Sequence, residues 1–189
     1  MAGKRKLIFY GATSVDGFIA RLDGSVDWLD RPQPKGDYGM AAFYRSVDTV
    51  VLGRKTYDFA VKHGMADVAP GKKTYVFTRT LKTAASPRVS LVTEDPNAFA
   101  ERLRKEKGKN IWLMGGAELL ASFLDCGQAD EFILHVIPTM IGEGIPLVAP
   151  RHRDVALKLL ENKKFPDDSL RLRYAVRSGK ARSSVRGDE

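Results

Sequence analysis

Residues 110–120 read NIWLMGGAELL, and this stretch decides the fold because one structural element changes into another within it. The short apolar run at 111–114 is typical of a buried strand, whereas the AELL after the glycines favours a helix. Gly115 and Gly116 let a ligand approach the backbone where helix N–H groups point outward. The stretch therefore predicts a β-to-α turn, either as a cradle for a phosphate group or as a tight turn without a ligand.

Two other apolar runs, 49–52 and 73–78, predict strands that end in a similar way. The residues at these two strand ends are Gly53, Arg54, Lys55, Thr56, Thr78 and Arg79. Carboxyl ends of parallel strands meet at one edge of a sheet, where α/β proteins bind ligands. Guanidinium groups pair with phosphate through two hydrogen bonds, so two arginines beside a nucleotide site favour NADPH. Each arginine taken alone is also interpretable as an ordinary surface charge.

The order of the predicted elements indicates the fold class. Strands alternate with helices along most of the chain, and residues 155–165 and 170–177 close it as an antiparallel pair. We therefore expect an α/β protein with a three-layer αβα fold, in which a mostly parallel central sheet carries antiparallel C-terminal strands. Residues 1–177 are expected to form a single domain, because a chain of 189 residues can build one core. Residues 178–189 are small or charged and predict a disordered basic tail.

Composition argues against several classes of protein. No stretch is apolar enough to span a membrane, and the first apolar run is too short for a secretory signal. Cys126 is the one cysteine, which excludes an intramolecular disulfide and fits a cytoplasmic location. The usual zinc spacings are missing, and no metal is expected. The net charge of +8 lies mainly at the chain ends without interleaved aromatic residues, so nucleic-acid binding through the termini is a weak alternative.

A long predicted loop follows the first strand and carries large apolar side chains. Residues 14–28 contain two Asp-Gly turn pairs and end at Trp28. Such a loop either closes over a binding site or packs its apolar side chains into the core. Asp37 follows in the first turn of a helical pattern. It is interpreted either as a catalytic carboxylate or as a helix N-cap.

These motifs together resemble the dihydrofolate reductase superfamily. Within that superfamily the sequence most resembles a branch of stand-alone proteins that are similar to the reductase half of riboflavin-biosynthesis deaminase-reductases. The motifs that carry the resemblance are SVDGFIA at 14–20, DW at 27–28, GRKTY at 53–57, FTR at 77–79 and MGGA at 114–117. The resemblance covers roughly residues 6–177, nearly the whole folded chain, and implies a dihydrofolate-reductase-like fold, NADPH as the cofactor and a homodimer.

The resemblance also implies roles for individual residues. Ala12 and Ile19 would line the nicotinamide pocket, and Trp28 matches the tryptophan at the end of the mobile loop of folate reductases. The residues implied in holding the phosphates and the adenosine 2′-phosphate are Gly53, Arg54, Lys55, Thr56, Thr78 and Arg79. Those implied in bracketing the pyrophosphate and nicotinamide are Gly115, Gly116, Ala117 and Glu118. Asp37 matches the acidic residue that binds the pterin and assists its protonation.

The leading hypothesis is an NADPH-dependent reductase that transfers a hydride to a C=N or carbonyl group of a pteridine- or pyrimidine-like substrate. The zinc deaminase motifs of the bifunctional riboflavin enzymes do not occur in the sequence, so deamination by that route is not expected. His135 lies where folate reductases have a threonine-rich strand, and it is interpreted as a sheet histidine rather than a catalytic acid. The alternative hypothesis is a nucleotide-binding protein of the same fold without physiological turnover.

Overall fold

The structure is a computed structural model that describes residues 4–30 and 37–177. The predicted disordered tail, residues 178–189, lies outside the described residues. The described helices are α1 (Met40–Ser46), α2 (Arg54–Lys62), α3 (Pro96–Lys105) and α4 (Ala117–Asp125), with a 3-10 helix at Asp27–Leu29. The described strands are β1 (Leu7–Ser14), β2 (Phe18–Ala20), β3 (Val47–Gly53), β4 (Lys73–Phe77), β5 (Val89–Val92), β6 (Asn110–Gly115), β7 (Glu131–Ile137), β8 (Ile145–Pro146), β9 (Leu157–Lys164) and β10 (Leu170–Val176).

The main sheet has eight strands in the order β5-β4-β3-β6-β1-β7-β10-β9. The six strands from β5 to β7 are parallel, whereas β10 is antiparallel to both β7 and β9. This arrangement confirms the predicted mostly parallel sheet with antiparallel C-terminal strands. The order also shows that the chain moves outward from β3 to β5 and then returns to place β6 between β3 and β1.

Helices cover both faces of the sheet because side chains alternate between faces along each buried strand. On one face, Val51 and Leu113 pack in a cluster with the buried side chains of α3 and α4. On the opposite face, Leu52 packs with Tyr57 of α2, and Ile8 packs with Phe43 of α1. The three predicted layers are therefore present. None of the helices in the described part of the chain is long and apolar enough to cross a lipid bilayer.

The loop after β1 is attached to a second loop near residue 145. Its strand β2 pairs with β8 in a small two-stranded sheet, which the sequence did not predict. The Asp16 carboxylate accepts hydrogen bonds from the backbone N–H groups of Ile141 and Gly142, at 3.1 and 2.8 Å. A side-chain hydrogen bond with Ser14, together with these backbone hydrogen bonds, lowers the pKa of Asp16. The two loops together cover the end of β1.

Candidate active site

The site lies where the carboxyl ends of β3 and β6 meet. These strands are neighbours, and Leu52 lies opposite Gly115 in their register. The helices that follow them diverge, because α2 packs on one face of the sheet and α4 on the other. Such a change of direction opens a crevice at the carboxyl edge of the sheet, which is the usual ligand position in open α/β folds.

The N-termini of α2 and α4 face this crevice without side-chain caps. The residue before each helix is a glycine, Gly53 or Gly116, and neither helix has a capping side chain. Helix α3 shows the contrast, since Asp95 caps it by accepting from the N–H groups of Asn97 and Ala98. The first-turn N–H groups of α2 and α4 therefore have no side-chain acceptor from a cap, and such groups bind anions.

A hydrogen bond joins the two helix starts. The backbone N–H of Gly116 donates to Thr56 Oγ1 at 3.0 Å, so the first turn of α2 is held against the turn before α4. A Cβ atom at Gly116 would lie 3.2 Å from the same oxygen, which is tighter than an ordinary contact. Gly115 has a φ of +110°, which favours glycine, and its peptide bond to Gly116 is cis. The structure thus brings the predicted phosphate-binding residues of two separate motifs together.

Three cations predicted for the cofactor lie near the ends of β3 and β4. Arg54 donates through Nε to the Asp58 carboxylate at 2.6 Å and through Nη1 to Thr80 Oγ1 at 3.4 Å. Lys55 and Arg79 are exposed, and no ion pair to Arg79 occurs within residues 4–30 and 37–177. Because Asp58 already engages Arg54, Arg79 is the guanidinium more available to a phosphate.

Thr78 shapes the turn that carries Arg79. Its side chain is buried, and Oγ1 accepts hydrogen bonds from the N–H groups of Thr80 and Leu81 at 3.2 and 3.0 Å. The hydroxyl is therefore engaged within the turn rather than presented to solvent. These hydrogen bonds fix the backbone of the turn that carries Arg79.

The predicted nicotinamide pocket includes residues from β1, β2 and α4. Ile19 packs against the cluster of Ala117 and Ala121 at the start of α4. Ala12, partly buried on β1, lies opposite His135 in the register with β7. Glu118 is exposed in the first turn of α4, and its carboxylate pairs with Arg151 at 2.9 Å. The Arg151 guanidinium partly neutralises this carboxylate, which leaves the helix start favourable for an anion.

Trp28 lies in the 3-10 helix that ends the loop after β2. Its side chain is buried, with 6% of its surface exposed. The indole Nε1 is enclosed and has no hydrogen-bond partner in the part of the chain that the structure describes. Buried indole N–H groups normally donate a hydrogen bond, so this enclosed group departs from the usual pattern.

Asp37 lies three residues before α1, not in its first turn as predicted, and the N-cap residue is Gly39. Its carboxylate still reaches the helix start and accepts hydrogen bonds from the N–H groups of Gly39 and Ala41 at 2.9 and 2.7 Å. These backbone hydrogen bonds lower the pKa of Asp37, so the group is ionised at neutral pH and acts as an acceptor. The side chain is exposed, and a carboxylate has about four acceptor positions. Positions therefore remain for a substrate N–H group, and the catalytic role stays a prediction.

A buried polar network that sequence analysis missed holds the segment after Asp37. His135 Nε2 lies 2.8 Å from Ser169 Oγ, which donates to Asp167 Oδ1 at 2.7 Å. Since the serine proton goes to Asp167, Nε2 of His135 is the donor and Nδ1 the acceptor. Burial lowers the pKa of His135 and keeps it neutral. Tyr38 donates to Asp167 Oδ2 at 2.9 Å, so the network fixes the residue next to Asp37.

Comparison with known proteins shows the family. The sequence pattern of the RibD C-terminal domain family matches residues 5–170. The chain belongs to this family. It is 42% identical to the uncharacterized protein YwjB of Bacillus subtilis strain 168, over 90% of this chain and 98% of that protein. The family membership confirms the resemblance to stand-alone reductase domains and points to a reductase-like enzyme.

Solved structures agree on the fold. A protein from Shewanella sp. PV-4, whose name places it in riboflavin biosynthesis, has a TM-score of 0.82 at 26% identity, over 91% of this chain and 99% of that one. The deaminase/5-amino-6-(5-phosphoribosylamino)uracil reductase from Thermotoga maritima has a TM-score of 0.68 at 15% identity. That match covers 92% of this chain and 57% of the bifunctional protein.

The site residues fit a dinucleotide better than a metal. Two uncapped helix starts and nearby cations suit a pyrophosphate and a further phosphate. Within residues 4–30 and 37–177, no cluster of His, Cys, Asp and Glu side chains could hold a metal ion.

Replacing Thr56 by valine tests the link between the helix starts. The valine leaves the Gly116 N–H without its acceptor, so we expect the free energy of unfolding to fall by about 1 kcal/mol. Affinity for NADPH is expected to fall several-fold, because the two helix starts are no longer held together. Denaturant unfolding and fluorescence titration measure both effects. Thr56→Ser retains the hydroxyl as a control, and equal behaviour of the two variants would contradict the role of this hydrogen bond.

Proposed function

We propose that this chain is a cytoplasmic NADPH-dependent reductase that acts on a C=N or carbonyl group of a pteridine- or pyrimidine-like substrate. The observation that carries the proposal is the pair of uncapped helix starts, joined by the Gly116–Thr56 hydrogen bond, at the change of strand direction. Membership in the RibD C-terminal domain family supports the reductase activity and the pyrimidine-like substrate.

In this proposal the crevice between β3 and β6 holds the cofactor. Backbone N–H groups at the starts of α2 and α4 would bind the pyrophosphate, and Arg79 and Arg54 the adenosine 2′-phosphate. Ala12 and Ile19 would border the nicotinamide. When bound, NADPH supplies the hydride, and the protein supplies orientation and electrostatics. The loop that contains β2, fastened to the loop around β8, would exclude water from the reacting atoms.

The substrate would lie beside Asp37 and Trp28. The ionised Asp37 carboxylate would accept a hydrogen bond from an N–H group of a pyrimidine or pteridine ring. Stabilising positive charge on that ring favours protonation of its C=N bond, which is the step that must accompany hydride addition. The buried Trp28 side chain would form part of the wall of this pocket, at the end of the loop that contains β2.

Replacing Arg79 by alanine tests the choice of cofactor. The substitution removes the guanidinium proposed to bind the 2′-phosphate, so we expect affinity for NADPH to fall about tenfold and affinity for NADH to stay unchanged. Arg54→Ala should also weaken NADPH binding more than NADH binding, but by a smaller factor than Arg79→Ala, because Asp58 already engages Arg54. Arg88→Ala is the matched control, since Arg88 is exposed and pairs with Asp67 away from the crevice.

The same preparations are assayed for NADPH oxidation with dihydrofolate and with 5-amino-6-ribosylaminouracil. Oxidation with either compound supports the proposed reductase. Tight NADPH binding without oxidation of either would favour the alternative, a nucleotide-binding protein without turnover. Equal binding of NADPH and NADH to the wild-type protein would contradict the roles of both arginines.

We also propose that two copies of the chain associate through the β9–β10 hairpin. Strand β9 is the edge of the main sheet, and all eight of its residues are exposed. Leu157, Leu159 and Leu170 are 39%, 48% and 38% exposed. The strand register places them on the same face as Tyr174, beyond the area that α3 and α4 cover. An apolar surface suits a two-fold contact, in which each patch meets its own copy without like-charge repulsion.

Replacing Leu159 by glutamate tests this interface. A charge would then face its own copy inside an apolar contact, so we expect the dimer dissociation constant to rise at least about 100-fold. Analytical ultracentrifugation of the wild-type protein should show twice the monomer mass, and the variant the monomer mass. Leu22→Glu is the control, because Leu22 is 67% exposed and lies outside the hairpin. A monomeric wild-type protein, or a dimeric Leu159→Glu variant, would rule out this interface.

A further inference from the structure

Tyr10 is a buried side chain whose polar end is not used by the fold. It lies on β1, two residues before Ala12 and on the same face of the sheet. Only 6% of its surface is exposed. Its ring stacks on Phe43 of α1, with centroids 4.6 Å apart, and meets the edge of Trp112 at 6.4 Å. These two aromatic contacts fix the direction in which the hydroxyl points.

The Tyr10 hydroxyl makes no hydrogen bond to residues 4–30 or 37–177. Other tyrosines do: Tyr44 donates to the Pro70 carbonyl, and Tyr57 accepts from the Ala85 N–H. The unpartnered polar atoms that are fully enclosed in this part of the chain belong to Trp28, Thr74 and Arg153. Since Tyr10 is not among them, its hydroxyl is not fully enclosed, although it lies at the end of a buried ring. A tyrosine hydroxyl without a protein partner in the described part of the chain can accept a hydrogen bond from a ligand or donate one to it.

Packing places Tyr10 close to the segment that carries Asp37. Phe43, which stacks on Tyr10, lies two residues after Ala41, and the Ala41 N–H donates to the Asp37 carboxylate. Tyr10 and Asp37 therefore both contact the first turns of α1. Burial raises the pKa of Tyr10, so its hydroxyl is protonated at neutral pH and can donate, while the ionised Asp37 can accept.

We propose that Tyr10 binds the substrate by donating its hydroxyl proton to a ring carbonyl oxygen of an oxopyrimidine. In such a ring each carbonyl has a neighbouring N–H group, which matches the donor of Tyr10 and the acceptor of Asp37. This assignment rests on the proposed reductase function and narrows its substrate to rings that carry an oxo group. It makes Tyr10 a residue that selects the substrate, whereas the cofactor crevice between β3 and β6 does not involve it.

The Tyr10→Phe variant tests this proposal because it removes the hydroxyl and keeps the ring that packs on Phe43. With 5-amino-6-ribosylaminouracil as the probe, we expect KM to rise about tenfold, from the loss of one hydrogen bond. The turnover number and the NADPH dissociation constant should stay close to the wild-type values. Tyr44→Phe is the matched control, since it removes a hydroxyl that bonds to Pro70 and should leave KM unchanged.

Each result decides one question. An unchanged KM in Tyr10→Phe, with wild-type turnover intact, overturns the role of Tyr10 and leaves the proposed reductase standing. A loss of NADPH affinity in Tyr10→Phe also overturns it, because the residue would then act through the cofactor. Tight NADPH binding with no binding of the uracil probe to the wild-type protein contradicts both the role of Tyr10 and the proposed substrate class.

An NMR measurement on the wild-type protein tests the same hydrogen bond without an activity assay. In the wild-type protein labelled at the tyrosine ring carbon that bears oxygen, the Tyr10 NMR signal should shift when the uracil probe is added in the presence of NADP+. The Tyr44 signal should stay in place. Tyr10→Phe and Tyr44→Phe assign the two signals. A Tyr10 signal that does not move on binding of the probe excludes the hydrogen bond.

Discussion

The hydrogen bond from the Gly116 N–H to Thr56 Oγ1 is the contact on which the site depends. It joins two helices that pack on opposite faces of the sheet, so the crevice between them has a defined width. Neither helix start has a capping side chain, and the glycines before them keep side-chain atoms out of the crevice. In the proposed function, an anion bound there would meet N–H groups from helices on both faces of the sheet, fixed in place before binding.

The substrate side depends on a different part of the chain. The turn and strand of the β9–β10 hairpin hold residues 37–39, because Asp167 accepts from Tyr38 and Arg171 donates to the Tyr38 carbonyl at 3.0 Å. A Cβ atom at Gly39 would clash with the Arg171 guanidinium, and the φ of Gly39 is +87°. The hairpin that positions the predicted substrate carboxylate is also the one proposed to contact a second copy. Association would therefore support the site from outside.

The meeting of the β3 and β6 ends could be predicted from the sequence because its signals are local, whereas the cofactor bound there stays a proposal. An apolar run followed by glycine and a helical pattern marks β3 and β6, and parallel strands align such ends. The substrate side could not be predicted in the same way. The contact of Tyr38 with Asp167, and the pairing of β2 with β8, join residues more than 100 positions apart. Asp37 was expected in the first turn of a helix, but α1 begins three residues later, at Met40. The Asp37 side chain reaches the helix start through hydrogen bonds that a helical pattern in the sequence does not predict.

A crystal structure with NADP+ bound is the most direct measurement of the central claim. The pyrophosphate should lie within hydrogen-bond distance of backbone N–H groups at the starts of both α2 and α4, with the 2′-phosphate beside Arg79. The nicotinamide should then approach Ala12 and Ile19. A pyrophosphate that contacts only one of the two helix starts, or a nucleotide bound away from the crevice between β3 and β6, would contradict the account.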